Sequence, residues 1–229
     1  LPDYLKRFPL TEGVLQKEEA LEEAAYILAK ENAEENVKYM EVRFAPTNYM
    51  KEGLEAPQVV EAVMKGLVRA EVDFGIRSGV IVSGVKCSME DPSKIRPGKK
   101  REKLKKEQQN LKLSMQTAAI LKKQYADFDF PIAYDLCGKE DGHPPHYYKD
   151  EFETIHDADV SSTIHAGEGY GFRSIFKAIT QLNCQRIGHG TRLFESNSLE
   201  DKVIDTKIPL EICLTSNEHT ETTVNAAVN

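Results

Sequence analysis

Six short apolar runs, each separated from the next by a helix-length segment, constrain this chain more than any other feature of it. Residues 37–46 (VKYMEVRFAP), 79–86, 130–138, 161–168, 186–190 and 208–217 read as strands or strand ends. In the first, Met40, Val42 and Phe44 alternate with Tyr39, Glu41 and Arg43, and Pro46 ends the run. Helices are expected at 17–36, after Pro57, and at 108–124, 146–157, 172–182 and 195–205. Leu21, Ala24, Ala25 and Leu28 share one face of the first, and Val59, Val60, Val63, Leu67 and Val68 form the stripe of the second, with Pro57 in its opening turn. Strands joined by helices run parallel, because a hairpin is too short to join a parallel pair.

Two architectures satisfy that pattern, a doubly wound sheet and a barrel. Ionisable residues gather at the C-terminal ends of several strands, Asp135, His165 and His189 among them, as barrel chemistry requires. No G-x-G-x-x-G turn follows a strand to hold a dinucleotide. The expected fold is therefore an α/β (β/α)₈ TIM barrel with six of eight units readable, forming one domain over residues 1–229. Complete barrels run to about 250 residues, so the first and last units are expected to be missing.

Charge and cysteine usage narrow the partners. The net charge of −7 argues against nucleic acid as the main partner, and no apolar stretch is long enough to span a membrane. Cys87, Cys137, Cys184 and Cys213 are widely spaced, which reads as reduced thiols and a cytoplasmic setting. LPDYLKRF is not a signal peptide, and the absent Met points to a segment upstream. Residues 94–106 carry eight basic residues and one acidic one. No aromatic residue interleaves as base stacking would want, so the run reads as a solvated loop entering a charged helix.

The densest chemistry is T-I-H-A-G-E, residues 163–168. His165 stands at a strand end, where an imidazole can ligate a metal. Glu168 follows across two small residues, placed to act as a general acid from a dry pocket. A core histidine and a surface glutamate would fit the same hexapeptide. R-I-G-H-G sets His189 between glycines, 24 residues after His165 and one βα unit away, so the two would be neighbours on a barrel rim. In D-L-C-G, Gly138 could offer an unobstructed N–H or simply turn the chain, and Asp135 reads as a buried hydrogen-bonding partner. Glu41 and Arg43 read as a structural pair.

Taken in order, Y-M-E-V-R-F-A-P, D-L-C-G-K-E, I-H-A-G-E, R-I-G-H-G and L-E-I-C-L-T-S-N resemble the adenosine deaminase family of zinc-dependent amidohydrolases, over about Leu1 to Val228. The resemblance implies a metal-dependent-hydrolase barrel with one Zn²⁺ per chain at its C-terminal mouth. It implies hydrolytic deamination of adenosine or 2′-deoxyadenosine to inosine or 2′-deoxyinosine plus ammonia, in purine salvage. It makes His165 a zinc ligand and Glu168 the acid that protonates purine N1. His189 becomes the group that orients and helps deprotonate the zinc-bound water, and Gly138 the N–H that meets purine N3. Ser216 and Asn217 would shape the end of the last strand. The implied partner is a small purine nucleoside, with neither nucleic acid nor membrane, and the oligomeric state stays open. Adenine or AMP as substrate, or a silent purine-binding barrel, are the alternatives. The family's H-x-H pair is missing, and no Asp-Asp follows Ser216. His143-Pro-Pro-His146 is no substitute and reads as a loop or helix entry. Of four expected zinc ligands, only His165 is present.

Overall fold

The computed structural model describes residues 8–220, so the N-terminal octapeptide read above lies almost wholly outside it. After a short helix α1 (Phe8–Val14), the chain alternates α2 (Glu18–Glu34), β1 (Tyr39–Phe44), α3 (Ala56–Phe74), β2 (Arg77–Val85), α4 (Lys99–Gln124) and β3 (Ile132–Cys137). It continues through α5 (Lys149–Asp157), β4 (Ser161–Ala166), α6 (Phe172–Gln181), β5 (Arg186–His189), α7 (Asn197–Thr206), β6 (Leu210–Glu211) and α8 (Leu214–His219). The six strands pair in chain order, all in parallel.

Helix boundaries follow local chemistry. At the start of α3, Glu55 and Gln58 form a reciprocal capping box and Pro57 sits in the first turn. The same helix ends at Gly75 in the left-handed conformation, φ 71°, with its N–H on the Glu71 carbonyl. Helix α4 begins nine residues before the expected start at 108, directly after Gly98. Its basic opening run is built from good helix formers, and Pro97–Gly98 rather than polarity sets the boundary.

The sheet has two unlike faces. Val80, Val82, Ile132, Tyr134, Leu136, Ile164 and Ile187 pack outward into the core against the helices. There Tyr134 meets Phe152 of α5 edge-on, centroids 5.8 Å apart. Leu28 and Val68, assigned above to apolar stripes, lie at the edge of those stripes, 41% and 47% exposed. Helices α2 and α3 approach closely at Gly66, where a Cβ would lie 2.1 Å from the Glu22 carbonyl oxygen. Gly66→Ala is expected to cost about 1–3 kcal/mol through overpacking, read as a lower urea midpoint at unchanged m.

The inner face is ionic. Arg43 of β1 pairs with Glu211 of β6 at 2.5 Å, and Arg186 of β5 bridges Glu41 of β1 at 2.5 Å and Glu211 at 3.2 Å. A flat sheet of six strands would hold its outer strands about 24 Å apart. Side-chain contact between the first and last strands therefore shows a sheet curled into a barrel wall. Glu41 and Arg43, read above as a structural pair, belong to one ion network in the wall, linked through Arg186 and Glu211. Two residues apart on one strand, they share the inner face and reach across it in different directions.

The expected last strand, 208–217, is mostly not one. Pairing stops at Glu211, and residues 214–219 turn into α8, which carries Ser216 and Asn217. Among the described residues, no helix is long and apolar enough to cross a membrane.

Candidate active site

At the C-terminal ends of β3, β4 and β5 the inner face changes from ion pairs to histidines. Asp135, fully buried, accepts from His165 Nδ1 at 3.0 Å and from the Ser83 hydroxyl at 3.4 Å, with Arg43 Nε 3.4 Å away. Burial pushes its carboxyl up, but the charges of His165, Arg43 and Lys86 outweigh burial and hold it below the usual 3.8. The Asp135 bond fixes the ring of His165 and leaves Nε2 for other work, the way a carboxylate orients a ligating imidazole.

His189 reaches the same place by a backbone device. Strand alternation sets it on the side of Ile187, toward the helices. A left-handed φ of 66°, followed by Gly190 at 68°, turns it away from that register. A non-glycine residue at positive φ is a local strain that the surroundings must hold. Here the Asn217 side-chain amide oxygen Oδ1 takes the Nδ1 proton at 2.6 Å, and the ring stands 5.0 Å from that of His165, edge to face. His189 Nε2 then faces a Glu168 carboxylate oxygen at 3.8 Å. Burial pulls the imidazole down, but the nearby Cys213 sulfur, the Glu168 charge and the hydrogen bond to Asn217 raise it from 6.5 to about 9.

A folded-state value above the unfolded one means that the proton stabilises the fold. That contribution is complete below pH 6.5 and is lost as pH rises through about 9. The gap in thermal midpoint between the parent and a His189→Gln variant should therefore narrow across that window; a gap constant with pH would contradict a charged His189.

Two groups that the motifs did not reveal complete the mouth. Lys86, just past β2, is buried and donates to the His165 carbonyl at 2.5 Å. Desolvation lowers its amine, against the pull of Glu140 and Asp135. Glu140, in the loop after β3, accepts from the backbone of the turn that carries Glu168. Lys86 shows only as a charge ending an apolar strand, and Glu140 only as the last letter of D-L-C-G-K-E. Gly138 stands at the end of β3 at φ 94°, where a Cβ would lie 3.1 Å from Val85 and within 4 Å of Lys86. A side chain there would be strained and would crowd the exit of β2.

Burial pushes the thiols of Cys137 and Cys184 up to about 12 and that of Cys87 to about 11, so none of these is a thiolate nucleophile at neutral pH. His143 bonds the Asp141 carbonyl in a loop and His146 lies in a short 3₁₀ turn, as the sequence suggested. Among the described residues, no three His, Cys, Asp or Glu side chains converge as metal donors. His165 alone is one imidazole, and catalytic zinc takes about three protein ligands, so these residues do not by themselves fit the metal.

A family model described as adenosine deaminase matches residues 1–227. An adenosine deaminase of Enterococcus faecalis is 33% identical over 226 residues, covering 97% of this chain and 59% of that protein. The chain thus spans about three fifths of the length of the curated relatives it matches. The solved structure of an adenine deaminase from Arthrobacter aurescens superposes with a TM-score of 0.77 at 21% identity, over 100% of this chain and 63% of that one. An amidohydrolase from Burkholderia ambifaria with bound Zn gives 0.72 at 20% identity, over 93% and 52%.

Proposed function

The chain belongs to the adenosine deaminase family, and from that premise we propose that it deaminates adenosine or 2′-deoxyadenosine hydrolytically. The observation that carries this reading is the facing pair of Glu168 and His189, 3.8 Å apart at the barrel mouth beside an Asp135-oriented His165. Adding water at C6 of a purine and expelling ammonia needs a proton on N1 and a proton removed from the water. Glu168 and His189 can perform those two tasks once the proton that His189 holds in the ion pair has passed to Glu168, which leaves a carboxylic acid facing a neutral imidazole.

In this proposal Glu168 gives its proton to N1, which interrupts the ring's aromaticity and leaves C6 open to attack. His189 orients the attacking water and helps remove its proton, with Asn217 fixing the ring. The Gly138 N–H meets N3 and sets the purine's depth. The tetrahedral centre at C6 then loses ammonia, so nucleoside plus water gives the 6-oxopurine nucleoside plus NH₃. His165 is the donor we assign to the zinc that the family implies. We place the reaction in the cytoplasm, a setting supported by four free cysteines.

The test is a spectrophotometric assay of the full-length protein with added Zn²⁺, offered adenosine, adenine and AMP in parallel. Loss of the adenosine band alone supports the proposal. Turnover of adenine or AMP instead would move the substrate within the family. No turnover of any would overturn the catalytic reading.

A further inference from the structure

Glu140 sits in the loop between β3 and α5, is 4% exposed, and takes five hydrogen bonds on one carboxylate. Oε1 accepts from the Gly167 N–H at 2.8 Å and the Ser174 hydroxyl at 2.6 Å. Oε2 accepts from the N–H groups of Glu168 at 2.9 Å, Gly169 at 2.9 Å and Tyr170 at 3.1 Å. Four consecutive backbone donors thus converge on a single side chain from another strand's loop. Such a concave run of N–H groups is a ready anion cradle, and here the chain fills it with its own carboxylate. Gly167, at φ 72°, supplies the left-handed turn that aims the donors together. From the other side, the Gly167 carbonyl accepts from Thr191 Oγ1 at 2.5 Å and from the Arg192 N–H at 3.1 Å.

The turn so clamped is the one that presents Glu168. Its side chain makes a single ion-pair contact among the described residues, with His189 at 3.8 Å, so its position depends on its backbone. We infer that Glu140 is a positioning residue for the deamination. It fixes the β4–α6 turn so that Glu168 faces His189 and the substrate, and it touches neither substrate nor reacting atoms. The inference rests on the deaminase reading above. A misplacement of about 1 Å at a reacting group can cost on the order of 10²-fold in rate. Glutamine cannot replace Glu140, because its NH₂ would meet N–H donors, and aspartate is one methylene too short to reach them.

The experiment uses the full-length protein, its Glu140→Gln and Glu140→Asp variants, and Gly66→Ala as a destabilised control remote from the loop. Amide hydrogen exchange is followed at 167–170, and kcat and KM are measured on adenosine. In the parent, these four amides should be protected well beyond ordinary loop amides. In either Glu140 variant they should exchange at least about tenfold faster, with kcat lowered on the order of 10²-fold and KM held within about threefold. Gly66→Ala should lose thermal stability and keep kcat. Glu140→Asp, with its charge intact, serves if Glu140→Gln does not fold. Unprotected amides in the parent, a variant kcat within threefold of the parent, or an equal kcat loss in Gly66→Ala would each overturn the inference. A parent inactive on every purine rejects the deaminase reading; an active parent with full-rate Glu140 variants rejects the positioning role alone.

Discussion

Replacing Glu168 by glutamine is expected to lower kcat by about 10²–10⁴-fold, the range that a positioned general acid contributes. The amide has the same shape and cannot deliver a proton. The backbone N–H of residue 168 still donates to Glu140, so the turn keeps its fold. The loss should therefore fall on kcat, with KM within about threefold, as for an interaction made only in the transition state. Thermal stability should change little, since the carboxylate is partly exposed and its one ion-pair contact, at 3.8 Å, is long. Steady-state kinetics on adenosine read the effect, and full activity in the variant would remove Glu168 from the mechanism.

Asp135→Ala should be the most damaging substitution to the fold and the site together. The side chain is fully buried, and its removal strips Arg43 of one of two carboxylate partners and His165 of its orienting bond. Breaking a buried charge pair costs about 3–5 kcal/mol, and Glu211, still paired with Arg43, keeps the figure near the lower end. If His165 holds the metal as proposed, losing the group that orients it adds a further loss of about 10–100-fold in activity or metal affinity. Asp135→Asn preserves shape and one acceptor, so it should recover most of the stability and little of the activity. The pH dependence has a definite sign. A carboxyl held below 3.8 in the folded state contributes stability that is present above that pH and is lost as pH falls below it. The acid limb of the stability curve should flatten in Asp135→Asn; equal acid limbs in parent and variant would contradict the ion-pair account.

Most of the architecture was legible because period-two alternation and helix stripes report burial directly. The strands at 39–44, 132–137 and 161–166 fall inside the spans expected for them. The last strand failed because I-P-L-E-I-C-L-T-S-N has the composition of a buried strand, whereas the chain leaves the sheet after Glu211 and coils under His189. That coil brings Asn217 to His189, a contact between residues 28 apart that no local pattern encodes. The proximity of His165, Glu168 and His189 was legible, because side-chain type and the spacing of one βα unit pointed to it. The place of Glu140 was not, because its partners are mostly backbone N–H groups present at every residue but proline. Nor could alternation foresee that positive φ would redirect His189.

The ionic inner face has a bearing on how the wall assembles. Side chains on a strand alternate faces, so a slip of one residue exchanges the two sets. A slipped β1 would drive Glu41 and Arg43 into the layer filled by Val80, Tyr134 and Ile164, and leave Met40 and Val42 beside Arg186. Unpaired charges in such a layer cost several kcal/mol each, more than a misaligned hydrogen-bond ladder can recover. Parallel sheets assemble slowly, because each strand must find its neighbour across a helix of intervening chain. Opposite charges carried on β1, β5 and β6 act as a proofreading code during that wait, favouring alignments in which Arg43 and Arg186 meet carboxylates.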